Sequence, residues 1–355
     1  MGYSLRHLWA DRPLVREVYR GWRQYMETGE TPDSAYQALI RLHCRSNGMT
    51  TDILADIVRR FRRPIALDPR TGVLATMSDQ RLAQAATTLR EDGFVVFDAK
   101  LPTEICADLR RFAETMPAEP EGEAGERREP VLYDRAAPVS RRYNFREQVV
   151  IEQPAVQRLM ADESLLSFAQ EYFGAAPLLD FMVLWWSTMF SDLPGSQAAQ
   201  FFHFDFDRVK WLKVFFYLTD VTDERGPHCF VKGSHRRGRP GAQRLLARGY
   251  ARLSDEEVIN AFGRESIASI TGKAGTIIAV DTRGFHKGIV PKTGDRLVLQ
   301  FQYATSPFGG TVPRSHLDNK NIVVPGLKSL FARHPSIFTR FLERNDGAGS
   351  RNLTP

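Results

Sequence analysis

Cysteine is nearly absent from this chain. Its 355 residues hold three, Cys44, Cys106 and Cys229, too few and too widely spaced for a disulfide framework or a CxxC-type zinc site. That scarcity fits a reducing compartment. Long apolar runs are missing too. Crossing a bilayer takes roughly 18–20 consecutive apolar residues, and the longest candidate, 178–190, is shorter and holds Asp180, Ser187 and Thr188. The first 22 residues are broken by charges and do not read as a secretory signal. The expectation is a cytoplasmic protein without a membrane span. Strong charge of either sign is also lacking, since the net charge is +6, and such a balance bears on association and solubility rather than on fold. With 43% hydrophobic and 25% charged residues, the composition excludes a disordered, collagenous or coiled-coil chain.

Lysine is absent from the first 78 residues, where 12 arginines accompany 8 acids. Apolar residues there follow helical spacing: Leu8, Val15, Val18, Tyr19, Trp22 and Tyr25, then 33–42, then 50–61, ending before Pro64. The run Arg59-Arg60-Phe61-Arg62-Arg63 raises the question of nucleic acid. Thin aromatic interleaving and the nearby Asp52 and Asp56 favour a solvated helix end, where cations suit the dipole. Further helices are expected at 78–90, 102–116 and 156–173, the last closing at Gly174, with a loose loop over 119–130. From residue 178 short β-rich runs take over, at 179–190, 201–207, 211–221, 276–280, 284–290 and 296–303, with a helical insertion at 254–262. Helices first and strands after give an α+β chain with a β-sandwich or barrel-like core. It divides into a helical extension (1–80) docked on a main domain (81–344), followed by a loose tail (345–355).

The stretch Gln200-Phe201-Phe202-His203-Phe204-Asp205-Phe206-Asp207 carries the chemistry. On a strand, alternate residues share a face, so His203 and Asp205 offer an imidazole and a carboxylate to one ion. Two histidines and one carboxylate with open positions form the facial triad of non-haem iron(II) oxygenases. A second segment, Gly284-Phe285-His286 through Arg296, reads as strand, turn (291–295) and strand. If the turn closes symmetrically, Val290 pairs with Arg296, Gly288 with Val298 and His286 with Gln300. His286 and Arg296 then share a face about 13 Å apart, at ~3.3 Å per residue. A five-carbon dicarboxylate fits that gap, with the arginine fork on its far carboxylate.

His203-x-Asp205 followed by His286 and Arg296 resembles the phytanoyl-CoA dioxygenase family of Fe(II)/2-oxoglutarate enzymes. Three further segments fit in order: Leu89-Arg90-Glu91-Asp92-Gly93-Phe94-Val95-Val96; Gly226-Pro227-His228 through Gly233-Ser234-His235; and Gly275-Thr276-Ile277-Ile278. Lys232 stands where proline is usual and His228 is a second departure, both on the substrate side. The likeness covers roughly residues 85–305.

The resemblance implies a double-stranded β-helix (jelly-roll, cupin-like) core. It implies Fe(II) on His203, Asp205 and His286, and Arg296 on the C5 carboxylate of 2-oxoglutarate. It also implies dioxygen as co-substrate, a hydroxylated C–H bond on a small or carrier-tethered metabolite, and release of succinate and CO2. Halogenating relatives have Gly or Ala at the carboxylate position, so Asp205 argues for hydroxylation. Substrate-side candidates are Trp186 (one of the pair Trp185-Trp186 being pocket wall), Asp207, Lys213, Arg142 and His228, the last as a loop histidine at the entrance. Two alternatives remain at this point: a non-catalytic binding module on the same fold, and a nucleic-acid-directed oxidative demethylase. The first would usually lack a ligand, and the second would want a basic surface around the site. Substrate identity, the outcome among hydroxylation, desaturation, cyclisation and epimerisation, and oligomeric state are not legible.

Overall fold

The computed structural model describes residues 10–68, 72–122, 126 and 128–342. Leu8 and the expected tail at 345–355 lie outside the described residues, as does part of the loop at 119–130. Three helices open the chain: α1 (Arg12–Thr28), α2 (Asp33–Ser46) and α3 (Met49–Phe61). Proline in the first turn of α1 loses no helical hydrogen bond there, and Gly29, at φ 67°, ends the helix. Only part of the apolar rhythm of α1 is used. Val18 is buried, and Trp22 and Tyr25 pack edge-on against Phe308, whereas Val15 and Tyr19 face outward.

Next come α4 (Asp79–Asp92), β1 (Phe94–Lys100), α5 (Thr103–Thr115), β2 (Glu119–Pro120), β3 (Arg142–Asn144), α6 (Glu147–Ile151), α7 (Pro154–Met160) and α8 (Glu163–Phe173). The single helix expected over 156–173 is two. Asp162 interrupts it by accepting from the Leu165 N–H as an N-cap, and it also accepts from the Val73 N–H at 2.7 Å. The remaining elements are β4 (Leu178–Ser187), β5 (Trp211–Tyr217), β6 (His228–Val231), α9 (Pro240–Leu246), α10 (Asp255–Phe262), β7 (Ile267–Ile270), β8 (Thr276–Val280), β9 (His286–Gly288), β10 (Arg296–Ala304) and α11 (Pro325–Arg333). Among the described residues no helix is long and apolar enough to cross a membrane.

The architecture is mixed helix and antiparallel sheet. Seven strands form one sheet in the order β1-β8-β5-β10-β4-β3-β2, and three form a second in the order β7-β6-β9. Alternation along the central strands sorts their residues. Register pairs Arg296 with Ser187, Val298 with Trp185 and Tyr217, and Gln300 with Val183 and Phe215, so these share one face. That face looks toward the small sheet, where Trp185, Phe215 and Val298 pack with Phe230 and Ile270. The intervening residues Trp186, Leu184, Val214, Phe216, Leu299 and Phe301 enter a larger core with the helices.

Three expectations need correction. β9 does not pair with β10. It pairs with β6, setting His286 opposite Phe230 and Gly288 opposite His228, while β10 lies between β4 and β5. The intervening segment bonds elsewhere: the Lys292 N–H donates to the Glu224 carbonyl at 2.7 Å, and Pro291 bridges Arg225. It therefore crosses between sheets instead of closing a hairpin. Residues 201–207 form no strand, only isolated bridges from Phe202 to Leu253 and from His203 to His286. His228 is a buried strand residue of β6, not a loop histidine.

Candidate metal and co-substrate site

Although 201–207 is irregular, its side chains still alternate. Phe202, Phe204 and Phe206 are buried in a cluster with α1 and α2. There the His43 ring lies 4.9 Å from that of Phe206, and the Tyr36 hydroxyl donates to the Phe206 carbonyl at 2.8 Å. With the phenylalanines held behind, His203 and Asp205 look into the cavity between the sheets. The Asp205 N–H donates to the Thr282 carbonyl at 2.7 Å, which fixes the segment beside the chain entering β9.

The structure brings His203, Asp205 and His286 together, with one ligand atom from each lying within 4.8 Å of the others. His203 Nε2 is 3.6 Å from Asp205 Oδ1, and His286 Nε2 is 3.4 Å from Asp205 Oδ2. Each imidazole turns its other nitrogen to a backbone carbonyl: His203 Nδ1 to Phe201 and His286 Nδ1 to Gly284, both at 2.9 Å. A carbonyl only accepts, so Nδ1 carries a proton in both rings and Nε2 is the nitrogen turned to the cluster. Histidine ligands of metals are commonly oriented in this way. Burial and the neighbouring His286 push His203 down to about 3, so the ring is neutral at ordinary pH.

Burial would raise the Asp205 carboxyl, but Lys213 and the two histidines reverse this and hold it well below the usual range. Lys213 Nζ sits 2.6 Å from Asp205 Oδ2 and 3.0 Å from Asp207 Oδ2. The carboxylate is thus ionised and oriented. Two imidazoles and one carboxylate suit a divalent first-row metal.

The cavity has a volume of about 270 Å³ and is walled on its apolar side by Phe181, Val183, Trp185 and Phe215. Arg296 reaches it from the start of β10. It is buried, donating through Nη2 to Ser187 Oγ at 3.0 Å and through Nη1 to the Gly226 carbonyl, while its Nε has no hydrogen-bond partner among the described residues. Desolvation brings it down to about 10, so it remains a cation at neutral pH. A Cβ on Gly288, two residues from His286, would lie 3.6 Å from Arg296 Nη2. The arginine and the distal histidine therefore meet the same cavity across two sheets.

Of the other sequence candidates, Arg142, Lys213 and His228 lie on the cavity wall. His228 Nε2 is buried without a hydrogen-bond partner among the described residues. Trp186 points the other way: its indole N–H donates to the Ala113 carbonyl at 3.2 Å, and Arg135 covers its ring. Its neighbour Trp185 is the cavity wall. Asp207 pairs with Lys213 off the wall. The sequence reading missed Arg252 and Gln300, and of the pair Trp185-Trp186 it chose Trp186 where Trp185 lines the cavity. Gln300 was in reach, because it stands four residues from Arg296 on one strand face. Arg252 lies in an irregular segment that carries no periodic signal.

Residues 89–295 match the family model described as phytanoyl-CoA dioxygenase (PhyH). No curated protein gives a match. Among solved structures, the chain is similar to the epimerase SnoN in complex with Fe3+, alpha ketoglutarate and nogalamycin RO. That match has 19% identity, covers 64% of this chain and 84% of that one, and has a TM-score of 0.44. HygX from Streptomyces hygroscopicus, with nickel and 2-oxoglutarate bound, matches at 15% identity over 64% and 87% of the two chains, with a TM-score of 0.45. EctD from S. alaskensis matches at 18% over 71% and 88%, with a TM-score of 0.43. The family match spans more than half of the 355 residues, and the chain belongs to the phytanoyl-CoA dioxygenase family, enzymes that use iron(II), 2-oxoglutarate and dioxygen.

Proposed function

We propose that the protein is a hydroxylase of a small or carrier-tethered metabolite, with iron(II) on His203 Nε2, Asp205 and His286 Nε2, and 2-oxoglutarate anchored through its C5 carboxylate by Arg296. The observation that carries this reading is the convergence of the three ligand atoms within 4.8 Å, beside a buried guanidinium with an unpartnered Nε. When bound, the metal and co-substrate supply the oxidising power by which dioxygen yields succinate, CO2 and a hydroxylated substrate carbon.

The chain's own residues do the positioning. The carbonyls of Phe201 and Gly284 hold both imidazoles in the tautomer that presents Nε2. Lys213 holds the Asp205 carboxylate ionised and fixes its rotation. Trp185, Phe215, Phe181 and Val183 offer an apolar wall to a hydrocarbon portion of substrate. We read the facing seven- and three-stranded sheets as a double-stranded β-helix, residues 81–344 as its domain, and 1–80 as an extension that braces the His203–Asp205 segment from behind.

Anaerobic titration with Fe(II) and 2-oxoglutarate tests the assignment through the weak visible charge-transfer band of the chelate. The band is expected in wild type, weakened or shifted in Arg296→Ala and absent in His203→Ala. A wild type without the band at saturating cofactor overturns it.

A further inference from the structure

We propose that the substrate carries an oxyanion, a carboxylate or a phosphate, held by Arg142 and Arg252 at the cavity. This rests on the iron and co-substrate reading above. The cavity wall bears four cationic side chains, Arg142, Lys213, Arg252 and Arg296, against one carboxylate, Asp205. Two of the four are accounted for. Lys213 is paired with Asp205 and Asp207, and Arg296 is assigned to the co-substrate, whose second carboxylate belongs on the metal.

Arg142 and Arg252 remain, and no carboxylate among the described residues lies within ion-pair distance of either. Arg142 is built into place. Its Nε donates to Asn144 Oδ1 at 2.8 Å, and its guanidinium lies over the Trp185 ring, 4.4 Å from the centroid. Glu121 feels the charge of both arginines without reaching either, and burial pushes its own carboxyl up. Burial likewise disfavours the Arg142 cation. A desolvated guanidinium without a counter-charge is costly, and an incoming anion removes that cost.

Arg252 comes from the other side of the sequence but is tied to the site. Its neighbour Leu253 bridges Phe202, next to His203, and His203 feels its charge. Arg252 is exposed where Arg142 is half-buried, so a ligand entering from solvent meets Arg252 first. Both are arginines, whose planar forks match carboxylate and phosphate.

The test uses the full chain loaded with Fe(II) and saturating 2-oxoglutarate under nitrogen, which fills the Arg296 position. Hexanoate, hexyl phosphate, hexanamide and hexylamine are titrated by calorimetry while the charge-transfer band is recorded. At least one of the two anions is expected to bind 10-fold or more tightly than the amide and the amine, and the tighter one names the oxyanion. Arg142→Met and Arg252→Met should each lose about 10-fold or more for that anion, in line with the strength of charge-assisted hydrogen bonds, and leave the amide unaffected.

Equal binding of amide or amine, no binding of either anion, or indifference to both substitutions overturns the proposal. So does loss of the band in Arg142→Met, which would place that guanidinium on the co-substrate. A wild type that lacks the band yet shows arginine-dependent anion preference instead overturns the iron reading and leaves the anion site standing.

Discussion

Two buried charged clusters draw on neighbouring stretches of the chain, Lys210 and Arg283 in one and Lys213 and His286 in the other, and are built to opposite ends. Around Asp281, the carboxylate and the cations beside it are paired with groups inside the protein. Asp281 accepts from Arg283 Nε at 3.0 Å and Nη2 at 2.7 Å, from Lys210 at 3.2 Å and from the Tyr172 hydroxyl. Arg283 reaches on to Asp52 of α3 at 3.1 Å. Around Asp205 the bonding is left incomplete: among the described residues His228 Nε2 and Arg296 Nε have no hydrogen-bond partner, and Arg142 and Arg252 have no carboxylate in ion-pair reach. Buried polar groups are ordinarily satisfied. The closed cluster fastens the N-terminal helices to the sheet, and the open one is shaped for groups the chain does not itself contain.

Removing a carboxylate from each sharpens that contrast. Asp281→Ala leaves Arg283 and Lys210 buried with like charge, and breaking such a pair costs about 3–5 kcal/mol. Asp281→Asn, which keeps the volume, should be the milder form. Asp205→Ala leaves Lys213 its second partner, Asp207 at 3.0 Å, and relieves the crowding of two carboxylates. It should lower the stability of the metal-free protein by only ~1.5–3 kcal/mol, the scale of one hydrogen bond to a charged group, while abolishing the charge-transfer band. Denaturant unfolding of both variants measures the difference. Equal losses would mean that the Asp205 cluster is also a structural one.

The same contrast explains what could be read from the sequence. The convergence of His203 and Asp205 was legible because they are two residues apart, and alternation survives even in an irregular segment when phenylalanines anchor every other position. The His286–Arg296 relation was right in destination and wrong in route, because local spacing cannot reveal that the 291–295 segment crosses between sheets. The choice between Trp185 and Trp186 depends on strand phase, which only the pairing of β4 with β10 fixes. Trp186→Ala empties the helix-side core and should cost about 3–5 kcal/mol, the usual range for large aromatic truncations, with the band kept. Trp185→Ala borders existing cavity space, so it should cost less and move the band. The reverse pattern in unfolding and spectroscopy would put the cavity on the wrong face of β4.

The most gradual expected effect concerns protons, and it separates the bracing layer from the site it braces. His43 lies in α2 between Phe204 and Phe206, with Nδ1 2.9 Å from Thr51 Oγ1. Burial, with Arg283 adding to it, pushes this histidine down to about 3. In the unfolded chain it titrates near 6.5. Below that pH the unfolded state takes up a proton that the folded state refuses, so the contribution is complete above 6.5 and is lost as the pH falls toward 3. Two pH units below 6.5, the loss is at most ~2–3 kcal/mol at 1.36 kcal/mol per unit. His43→Gln keeps a partner for Thr51 and removes the titration. Its stability should therefore fall less steeply than that of wild type between pH 6.5 and 4.5, by close to one proton in the slope. Identical slopes would show that His43 is protonated in the folded state, and that the aromatic layer behind Asp205 is wetter than its burial implies.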